Sequence, residues 1–234
     1  MRFEKKDKIL VIAAHPDDEV LGCGGTISSL KQKGIDIKIL VLSEGISSRF
    51  DLKNVDQKKL YKEIKERRNN SIKALNVLGV NKKDIYFENL PCCQLDAIPI
   101  LNLTKIIEKY VYDFKPSIIF THSMNDVNVD HNITFKAVRA ATRPVNKSFL
   151  KTIYLFEVLS STEWNFKEPF KANCFYDISK TINKKISAMK MYKKEFRKHP
   201  HPRSFEVVKA LATYRGAQVG QKFSEAFDLL RTQN

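Results

Sequence analysis

The sequence predicts an α/β protein whose mostly parallel, Rossmann-like sheet is covered by helices on both faces. Two observations support this fold class. Short apolar runs alternate with longer amphipathic segments through about the first 140 residues. The runs are continuous, as in strands that helices bury from both sides. Strands that are separated by helices in this way lie parallel in one sheet.

The first four strands and their helices follow each other in a regular order. Gly79, after the second helix, is typical of a helix C-cap, and Pro116 stops the third helix because proline cannot continue one. In chain order, we expect strands at Lys8–Ala14, Ile35–Leu42, Asp84–Phe87 and Ser117–Thr121. One helix follows each strand, and in the same order these helices are expected at Leu21–Lys33, Asp56–Leu78, Ile100–Phe114 and Val129–Thr142.

Beyond residue 150 the pattern is less regular. We expect strands at Thr152–Val158 and Cys174–Ile178, a helix over Lys180–Phe196 and, after a turn rich in proline and histidine, a last helix over Ser204–Thr213. The chain contains no internal repeat and no low-complexity linker. A length of 234 residues with 43% hydrophobic residues suits a single domain with a substantial core. We therefore expect one domain over residues 1–234.

The composition also bears on the compartment. No apolar run reaches the roughly 20 residues that a membrane span needs, and the N-terminus lacks the apolar stretch of a signal peptide, so we expect a cytoplasmic protein. The four cysteines show no CxxC spacing, and we expect reduced thiols that pack as small hydrophobic groups. Neighbours such as Cys92 and Cys93 are poor candidates for holding one ion together or for pairing with each other.

The chain is strongly basic. It has 41 Lys and Arg against 26 Asp and Glu, a formal net charge of +15. Such an excess suits an anionic partner, for example a nucleotide diphosphate or a phospholipid surface. Most of it is lysine spread over amphipathic helices, which more often gives only a solvated face. The aromatic residues are not interleaved with basic ones as in a stacking platform, so nucleic acid is not an expected partner.

Residues that can bind a metal follow the first strand. The apolar run ends in one histidine, one proline and three carboxylates, His15-Pro16-Asp17-Asp18-Glu19. This is the carboxyl end of a strand, where open α/β sheets bind ligands. His15 and Asp18 are three residues apart, and a turn would bring both to one ion. A catalytic zinc ion takes three protein ligands and keeps one position open, so a third ligand is required.

Among the other four histidines, His131 is the best candidate for the third ligand. It ends the polar stretch Asn125–His131, which follows the fourth strand and so belongs to the same edge of the sheet as His15. With three ligands assigned, Asp17 is left to act as general base toward a metal-bound water, the usual arrangement for attack on an amide or ester.

Two further carboxylates belong to the same segments. Glu19 and Asp130 would accept hydrogen bonds from the ligand imidazoles or fix the loops. A different interpretation of the first segment stays open, because Asp17 or Asp18 can cap a helix with His15 packed behind it. The second polar stretch, at an equivalent strand end, favours the metal site.

Two motifs resemble those of the LmbE-like (PIG-L) superfamily of zinc-dependent N-acetyl amino sugar deacetylases. The first is Ala14–Glu19 with Gly22–Thr26, and the second is Asn125–His131. The resemblance implies an LmbE-like fold in which His15, Asp18 and His131 bind zinc and Asp17 is the general base. Weaker similarities keep the family's order at Ser43–Gly45, Arg67–Arg68, Ala74, Leu78–Gly79, Tyr214–Gly220 and Glu225–Phe227. Residues 1–145 would then form the βα core with the metal site, and residues 146–234 would supply elements of the substrate pocket.

The second motif departs from the family pattern at one position. Many members carry a histidine three residues before the last ligand, where this chain has Asn128. An amide can donate a hydrogen bond to an oxyanion, but it cannot deliver a proton. Asn128 is therefore a candidate for the first role, and His201 or His199 for the second. For each of these two histidines, a place in an ordinary surface turn is an equally good interpretation.

Several arginines are candidates for contact with an anionic substrate, because a guanidinium group binds phosphate in a bidentate manner. Arg49 is the best of them, since it belongs to the loop after the second strand, at the same sheet edge as His15. The other candidates are Arg67, Arg68 and Arg203. Any one of them taken alone is more often a surface residue.

The leading hypothesis is a zinc-dependent hydrolase with one metal ion per chain. It would remove the N-acetyl group from an amino sugar conjugate, nucleotide-linked or lipid-linked, such as a precursor of a surface polysaccharide. An alternative is a zinc amidase or esterase for another acylated small molecule. A third is a noncatalytic module that binds a sugar or nucleotide. Peripheral contact with a membrane and self-association stay open.

Overall fold

The computed structural model describes residues 1–51, 53–145 and 148–233. Its seven strands form one sheet in the order β3-β2-β1-β4-β5-β7-β6. The strands are β1 (Lys8–Ala13), β2 (Asp36–Ser43), β3 (Ile85–Leu90), β4 (Ile118–His122), β5 (Thr152–Phe156), β6 (Cys174–Asp177) and β7 (Ser224–Thr232). The helices are α1 (Asp18–Gln32), α2 (Gln57–Val77), α3 (Ile100–Phe114), α4 (Val129–Ala141), α5 (Ile182–Met189) and α6 (Phe205–Ala217).

Strands β1 to β5 are parallel, which confirms the predicted fold class. Strand β7 runs antiparallel to β5, and β6 runs antiparallel to β7. Strands from both halves of the chain therefore share one sheet. Among the helices that the structure describes, none combines the length and the apolar composition that crossing a bilayer requires.

The helices cover both faces of the sheet, and successive residues of β1 show it. Ile9 and Val11 pack with helices α1, α2, α5 and α6 in one apolar layer. Leu10 and Ile12 point to the other side and pack with α3 and α4. Because side chains alternate along a strand, a run buried on both faces is apolar throughout, as the sequence shows here.

Helix α1 begins at Asp18, three residues before the predicted start. The glycine-rich segment therefore lies inside the helix, which is broken at Cys23 (φ −143°). Two glycines allow the helix to lie close to the chain beside it. A Cβ atom on Gly25 would lie 2.7 Å from Cγ2 of Ile178, and one on Gly22 would overlap the Phe156 ring.

In the second half of the chain one prediction is wrong and one strand was missed. The helix expected over Lys180–Phe196 ends at Met189, and strand β7 was not expected. The segment after α5 leaves the helix and brings Tyr192 and Glu195 to the edge of the sheet that holds the candidate site.

Candidate metal centre and active site

The candidate site lies at the carboxyl ends of β1 and β4, which are adjacent and parallel. The turn after β1 carries His15, Asp17 and Asp18, and the loop after β4 leads into α4 with His131. The rings of His15 and His131 lie 5.3 Å apart, centroid to centroid, although 116 residues separate them. The structure therefore brings the three predicted ligands together.

The three predicted ligands fit one ion. His15 Nδ1 lies 3.3 Å from His131 Nε2, and both nitrogens lie 3.2 Å from Asp18 Oδ2. With metal–ligand bonds of about 2.0 to 2.1 Å, the edge of a tetrahedral zinc site measures about 3.3 Å. The near-equilateral triangle of donors has this size. All three side chains are buried.

The charges of the triangle also suit a cation. Burial disfavours the ionised form of Asp18, but the rings of His131 and His15 outweigh it and hold the pKa of Asp18 well below its usual range. Burial likewise opposes a charged ring at His131, yet Asp18 and Asp126 raise the pKa of His131 to about 9. The carboxylates thus favour a positive charge at this point, and a bound cation would satisfy the same field.

Each histidine of this triangle has a carboxylate at its other ring nitrogen. His15 Nε2 lies 2.9 Å from Asp130 Oδ2, and Asp130 accepts hydrogen bonds from the backbone N–H groups of Cys93 (2.7 Å) and Leu95 (3.0 Å). His131 Nδ1 lies 3.1 Å from Asp126 Oδ2. Carboxylates in this position fix the tautomer and the orientation of a ligand ring.

Asp17 occupies a strained backbone position with φ at 119°, a conformation that residues other than glycine rarely adopt. Its Oδ2 accepts hydrogen bonds from Arg67 (2.9 Å) and Arg203 (2.8 Å). Its Oδ1 is buried and has no hydrogen-bond partner among the residues that the structure describes. Burial raises the pKa of Asp17, and the two guanidinium groups offset part of that rise. Oδ2 is therefore held in place, and Oδ1 is available to accept a proton.

Glu19 supports this turn. It accepts hydrogen bonds from the backbone N–H of Asp17 (3.1 Å) and from the Tyr192 hydroxyl (3.0 Å). Burial raises the pKa of Glu19 to about 8. Of the two further carboxylates expected from the sequence, Asp130 thus contacts a ligand imidazole and Glu19 fixes the loop.

Two of the candidate arginines, the buried Arg67 and the exposed Arg49, meet at the carboxylate of Glu195. Arg67 is 5% exposed and bridges Asp17 and Glu195, with its NH1 at 2.7 Å from the Glu195 carboxylate. Arg49 reaches Glu195 from the opposite loop at 2.8 Å. Arg68, a further candidate for contact with the substrate, does not join this cluster. It points outward from the next position of α2, and its guanidinium stacks on the ring of Phe87 at 4.9 Å.

The remaining candidates are Asn128 and two histidines of the loop before α6. Asn128 is the N-cap of α4, and its Oδ1 accepts hydrogen bonds from the N–H groups of Asp130 (2.9 Å) and His131 (3.4 Å). The amide NH2 is thus the group left to act as a donor. His201 is half-buried and accepts a hydrogen bond at Nδ1 from the Arg203 N–H (3.1 Å), whereas His199 is exposed.

Sequence reasoning missed two buried groups behind the ligands. Asp126 also accepts hydrogen bonds from Ser161 (2.9 Å) and Thr162 (2.6 Å), which ties it to the loop after β5. His122 ends β4, stacks on His131 with centroids 4.0 Å apart and accepts a hydrogen bond from the Ala14 N–H (2.8 Å). Its place at the last position of a buried strand, beside the predicted site, was the available signal.

Comparison with known proteins agrees with this geometry. The family model PIG-L, described as GlcNAc-PI de-N-acetylase, matches residues 10–142, more than half of the chain. The diacetylchitobiose deacetylase of Thermococcus kodakarensis is 25% identical over 95% of this chain and 83% of its own length. A probable N-acetyl-alpha-D-glucosaminyl L-malate deacetylase 2 of Bacillus cereus is 28% identical over 77% of this chain and 80% of its own length.

The fold is shared as well. The structure of the N,N'-diacetylchitobiose deacetylase from Pyrococcus horikoshii, in complex with its inhibitor MPG, superposes with a TM-score of 0.75 at 20% identity. The match covers 98% of this chain and 88% of the other. The family model spans both motifs that form the candidate site. This chain therefore belongs to the PIG-L family.

Proposed function

We propose that this protein is a metal-dependent deacetylase that hydrolyses the acetamide of an N-acetyl amino sugar conjugate. The observation that carries the proposal is the placement of Asp17, with one held and one unpartnered oxygen, next to the triangle of His15, Asp18 and His131. The activities of the relatives support the choice of bond and sugar.

Zinc is the ion we assign to the triangle, with His15, Asp18 and His131 as its ligands. When bound, zinc supplies Lewis-acid chemistry, because it polarises a carbonyl and lowers the pKa of water. Asp17 takes the proton of the attacking water at Oδ1, while Arg67 and Arg203 hold Oδ2 and fix the direction of the carboxylate.

Breaking the C–N bond leaves an amine, whose nitrogen needs a proton. We assign its delivery to the imidazolium form of His201 at Nε2, which requires that Nδ1 take up a proton and release the Arg203 N–H that it accepts in this structure. Asn128 would direct its amide NH2 to the oxyanion, since its oxygen is used in capping α4. The acetate leaves as the second product.

We further propose that the sugar carries an anionic group, linked through a nucleotide or a lipid, as in a precursor of a surface polysaccharide made in the cytoplasm. Arg49 and Arg203 support this, because both lie around Glu195 at the edge of the site, and Arg49 is 42% exposed at its side chain. A substrate phosphate would take the place of the Glu195 carboxylate on Arg49. His199 lies in the same loop as Arg203.

Acetate release tests the proposal directly. Purified protein loaded with one equivalent of zinc is given N,N'-diacetylchitobiose, UDP-N-acetylglucosamine and a lipid-linked N-acetylglucosamine. We expect acetate from at least one of them. Asp17→Asn should lower kcat by about 10²-fold or more while zinc content stays at one per chain, and Asp96→Asn, an exposed site, serves as the control.

Two outcomes would contradict the proposal. One is no acetate from any N-acetylhexosamine conjugate, and the other is an equal rate for wild type and Asp17→Asn. Hydrolysis restricted to acylated compounds other than sugars would select the zinc amidase or esterase. Retention of sugar binding without zinc or turnover would select a binding module.

A further inference from the structure

The thiols of Cys92 and Cys93 lie beside the candidate metal centre, in a group with His15 and with Asp130, which contacts His15 Nε2. Cys92 is buried and Cys93 is exposed, directly after β3. The backbone of Cys93 has φ at 56°, so the chain turns and both Sγ atoms lie on the same side, 3.8 Å apart. In an extended segment, neighbouring side chains would point to opposite faces. This turn brings together two thiols that adjacency in the sequence made poor candidates for holding one ion.

Four possible ligand atoms meet at this point. One atom each of His15, Cys92, Cys93 and Asp130 lie within 4.8 Å of one another. With Zn–S bonds of about 2.3 Å, the S–S edge of a tetrahedral site measures about 3.8 Å. The separation of the two Sγ atoms has this value. Two thiolates select thiophilic cations such as Zn²⁺ and Cd²⁺ over Mg²⁺ or Ca²⁺.

We propose that Cys92, Cys93, Asp130 and His15 Nε2 form a second metal site, specific for thiophilic divalent cations, that excludes metal from the catalytic centre. His15 Nδ1 faces Asp18 and His131, and His15 Nε2 faces Asp130. A neutral imidazole has one lone pair, on one nitrogen or the other. An ion on the thiolate side takes the Nε2 lone pair and leaves the proton on Nδ1, so His15 no longer serves the catalytic ion.

The protons balance in this exchange. Each of the two thiols releases one proton to solvent as it binds the cation, and the His15 proton moves from Nε2 to Nδ1. Asp130 gives up its contact with the ring and becomes a ligand, while the N–H groups of Cys93 and Leu95 keep its position. Excess thiophilic metal therefore inhibits the enzyme, a consequence that rests on the proposed function, whereas the binding itself does not.

Cadmium titration tests the binding without any turnover. Reduced, zinc-free protein is titrated with Cd²⁺ while the ultraviolet absorption of thiolate-to-cadmium charge transfer is followed. We expect a band that saturates at one Cd²⁺ per chain in the wild type. Cys93→Ser, at an exposed position, should weaken the binding at least 10-fold. Cys174→Ser, which changes a half-exposed thiol on β6, should titrate like the wild type.

Competition for His15 tests the exclusion. Protein that holds one equivalent of zinc is mixed with Cd²⁺ in the presence of a chromogenic zinc chelator. We expect zinc release from the wild type at Cd²⁺ concentrations at least 10-fold lower than from Cys93→Ser. The proposal is overturned if the wild type shows no charge-transfer band, if Cys93→Ser and Cys174→Ser titrate alike, or if zinc is released equally from wild type and Cys93→Ser. A protein with the band and no deacetylase activity would contradict only the proposed function.

Discussion

The two oxygens of Asp17 have different environments, and this difference defines the site at the scale of single residues. Oδ2 receives two guanidinium hydrogen bonds, and Oδ1 is buried without a partner among the described residues. An orphaned buried acceptor costs free energy unless a ligand or water completes it. The strained backbone at Asp17 also costs free energy, and contacts with the surrounding structure must maintain it. Both features are typical of a group kept ready for a reaction.

Arg67 should be a major contributor to the stability of the site. Arg67→Met leaves the buried carboxylates of Asp17 and Glu195 with fewer partners, and removal of one member of a buried ion pair costs about 3 to 5 kcal/mol. We expect a loss of about 3 kcal/mol, since Arg203 and Arg49 still contact these carboxylates. Urea unfolding measures this loss in the free energy of unfolding. Arg68→Met at the adjacent exposed position should change the free energy of unfolding by less than about 0.5 kcal/mol, and equal losses for both variants would contradict this view.

Asp126 should tune the metal affinity through His131. Asp126→Asn keeps the shape of the side chain but removes the carboxylate that lies 3.1 Å from His131 Nδ1. Loss of such a partner typically weakens metal binding by about 10- to 100-fold. Zinc affinity, measured by competition with a chelating dye, should fall by that factor, and Asp96→Asn should bind zinc like the wild type. An unchanged affinity in Asp126→Asn would show that Asp126 only anchors the loop.

The sequence allowed prediction of some of these residues and not of others. His15, Asp18 and His131 could be found because polar residues end two apolar strands and histidines are few. Asp126 could not be separated from its acidic neighbours, since only the turn decides which carboxylate faces a ring. Arg67 and Arg68 are adjacent, and the choice between them depends on the rotation of α2 about its axis. That rotation is set by tertiary packing, which the motif does not encode.

At the scale of elements, the break in α1 is compensated by a residue from the opposite end of the chain. Glu225 on β7 accepts hydrogen bonds from the N–H groups of Gly25 (2.9 Å) and Thr26 (2.7 Å). These amides lie just after the break at Cys23, where the second half of the helix begins, so Glu225 binds them as an N-terminal cap would. Lys185 on α5 completes the cluster with contacts of 2.6 Å to Glu225 and to the Leu21 carbonyl. Helices α1 and α5 and strand β7 are thereby joined behind the turn that carries the candidate metal ligands.

Glu225→Ala should therefore destabilise the whole fold. It leaves the buried ammonium of Lys185 without its carboxylate, which costs about 3 to 5 kcal/mol. The double variant Glu225→Ala/Lys185→Met removes the orphaned charge and should recover part of this loss, so the two effects will not add. Chemical denaturation of the single and double variants measures the coupling, with exposed Glu168→Ala as the control. If the losses in the free energy of unfolding of the two single variants add strictly in the double variant, Glu225 and Lys185 do not act as a charge pair at this cap.

Strand β7 shows why an element can escape prediction. It pairs with β5 through an irregular register between Ile153 and Tyr154, so its residues do not keep one alternating pattern. Leu229 and Leu230 pack against opposite apolar layers, as adjacent strand residues do, so both faces are apolar there and the sequence shows no apolar–polar alternation. The predicted end of helix α5 was wrong for another reason. Its apolar spacing continues past Met189, but the chain turns so that Tyr192 and Glu195 reach Glu19 and Arg67. Contacts with the site outweigh local helix propensity there.

At the scale of the whole molecule, the net charge of +15 creates a field that favours anions. The exposed lysines are spread along the chain, on helices, turns and loops, and so their effect is a general one that salt screens over about 10 Å at 0.1 M ionic strength. Arg49 differs, because it lies at the edge of the site and pairs with Glu195. A long-range contribution and a local contribution to anion binding can therefore be separated by experiment.

Charged and neutral substrates together distinguish the long-range contribution to anion binding from the local one. We expect kcat/KM for a phosphate-bearing N-acetylglucosamine conjugate to fall as salt rises from low to physiological ionic strength, while kcat/KM for N,N'-diacetylchitobiose changes little, because only the charged substrate is steered by the field. Arg49→Gln should lower kcat/KM for the charged conjugate by about 10-fold, equivalent to about 1.4 kcal/mol, with most of the loss in KM. Lys105→Gln, an exposed change of equal charge on α3, should reproduce only the small field effect. If Arg49→Gln and Lys105→Gln behave alike, or if both substrates respond equally to salt, the basic surface does not select an anionic substrate and Arg49 is not one of its ligands.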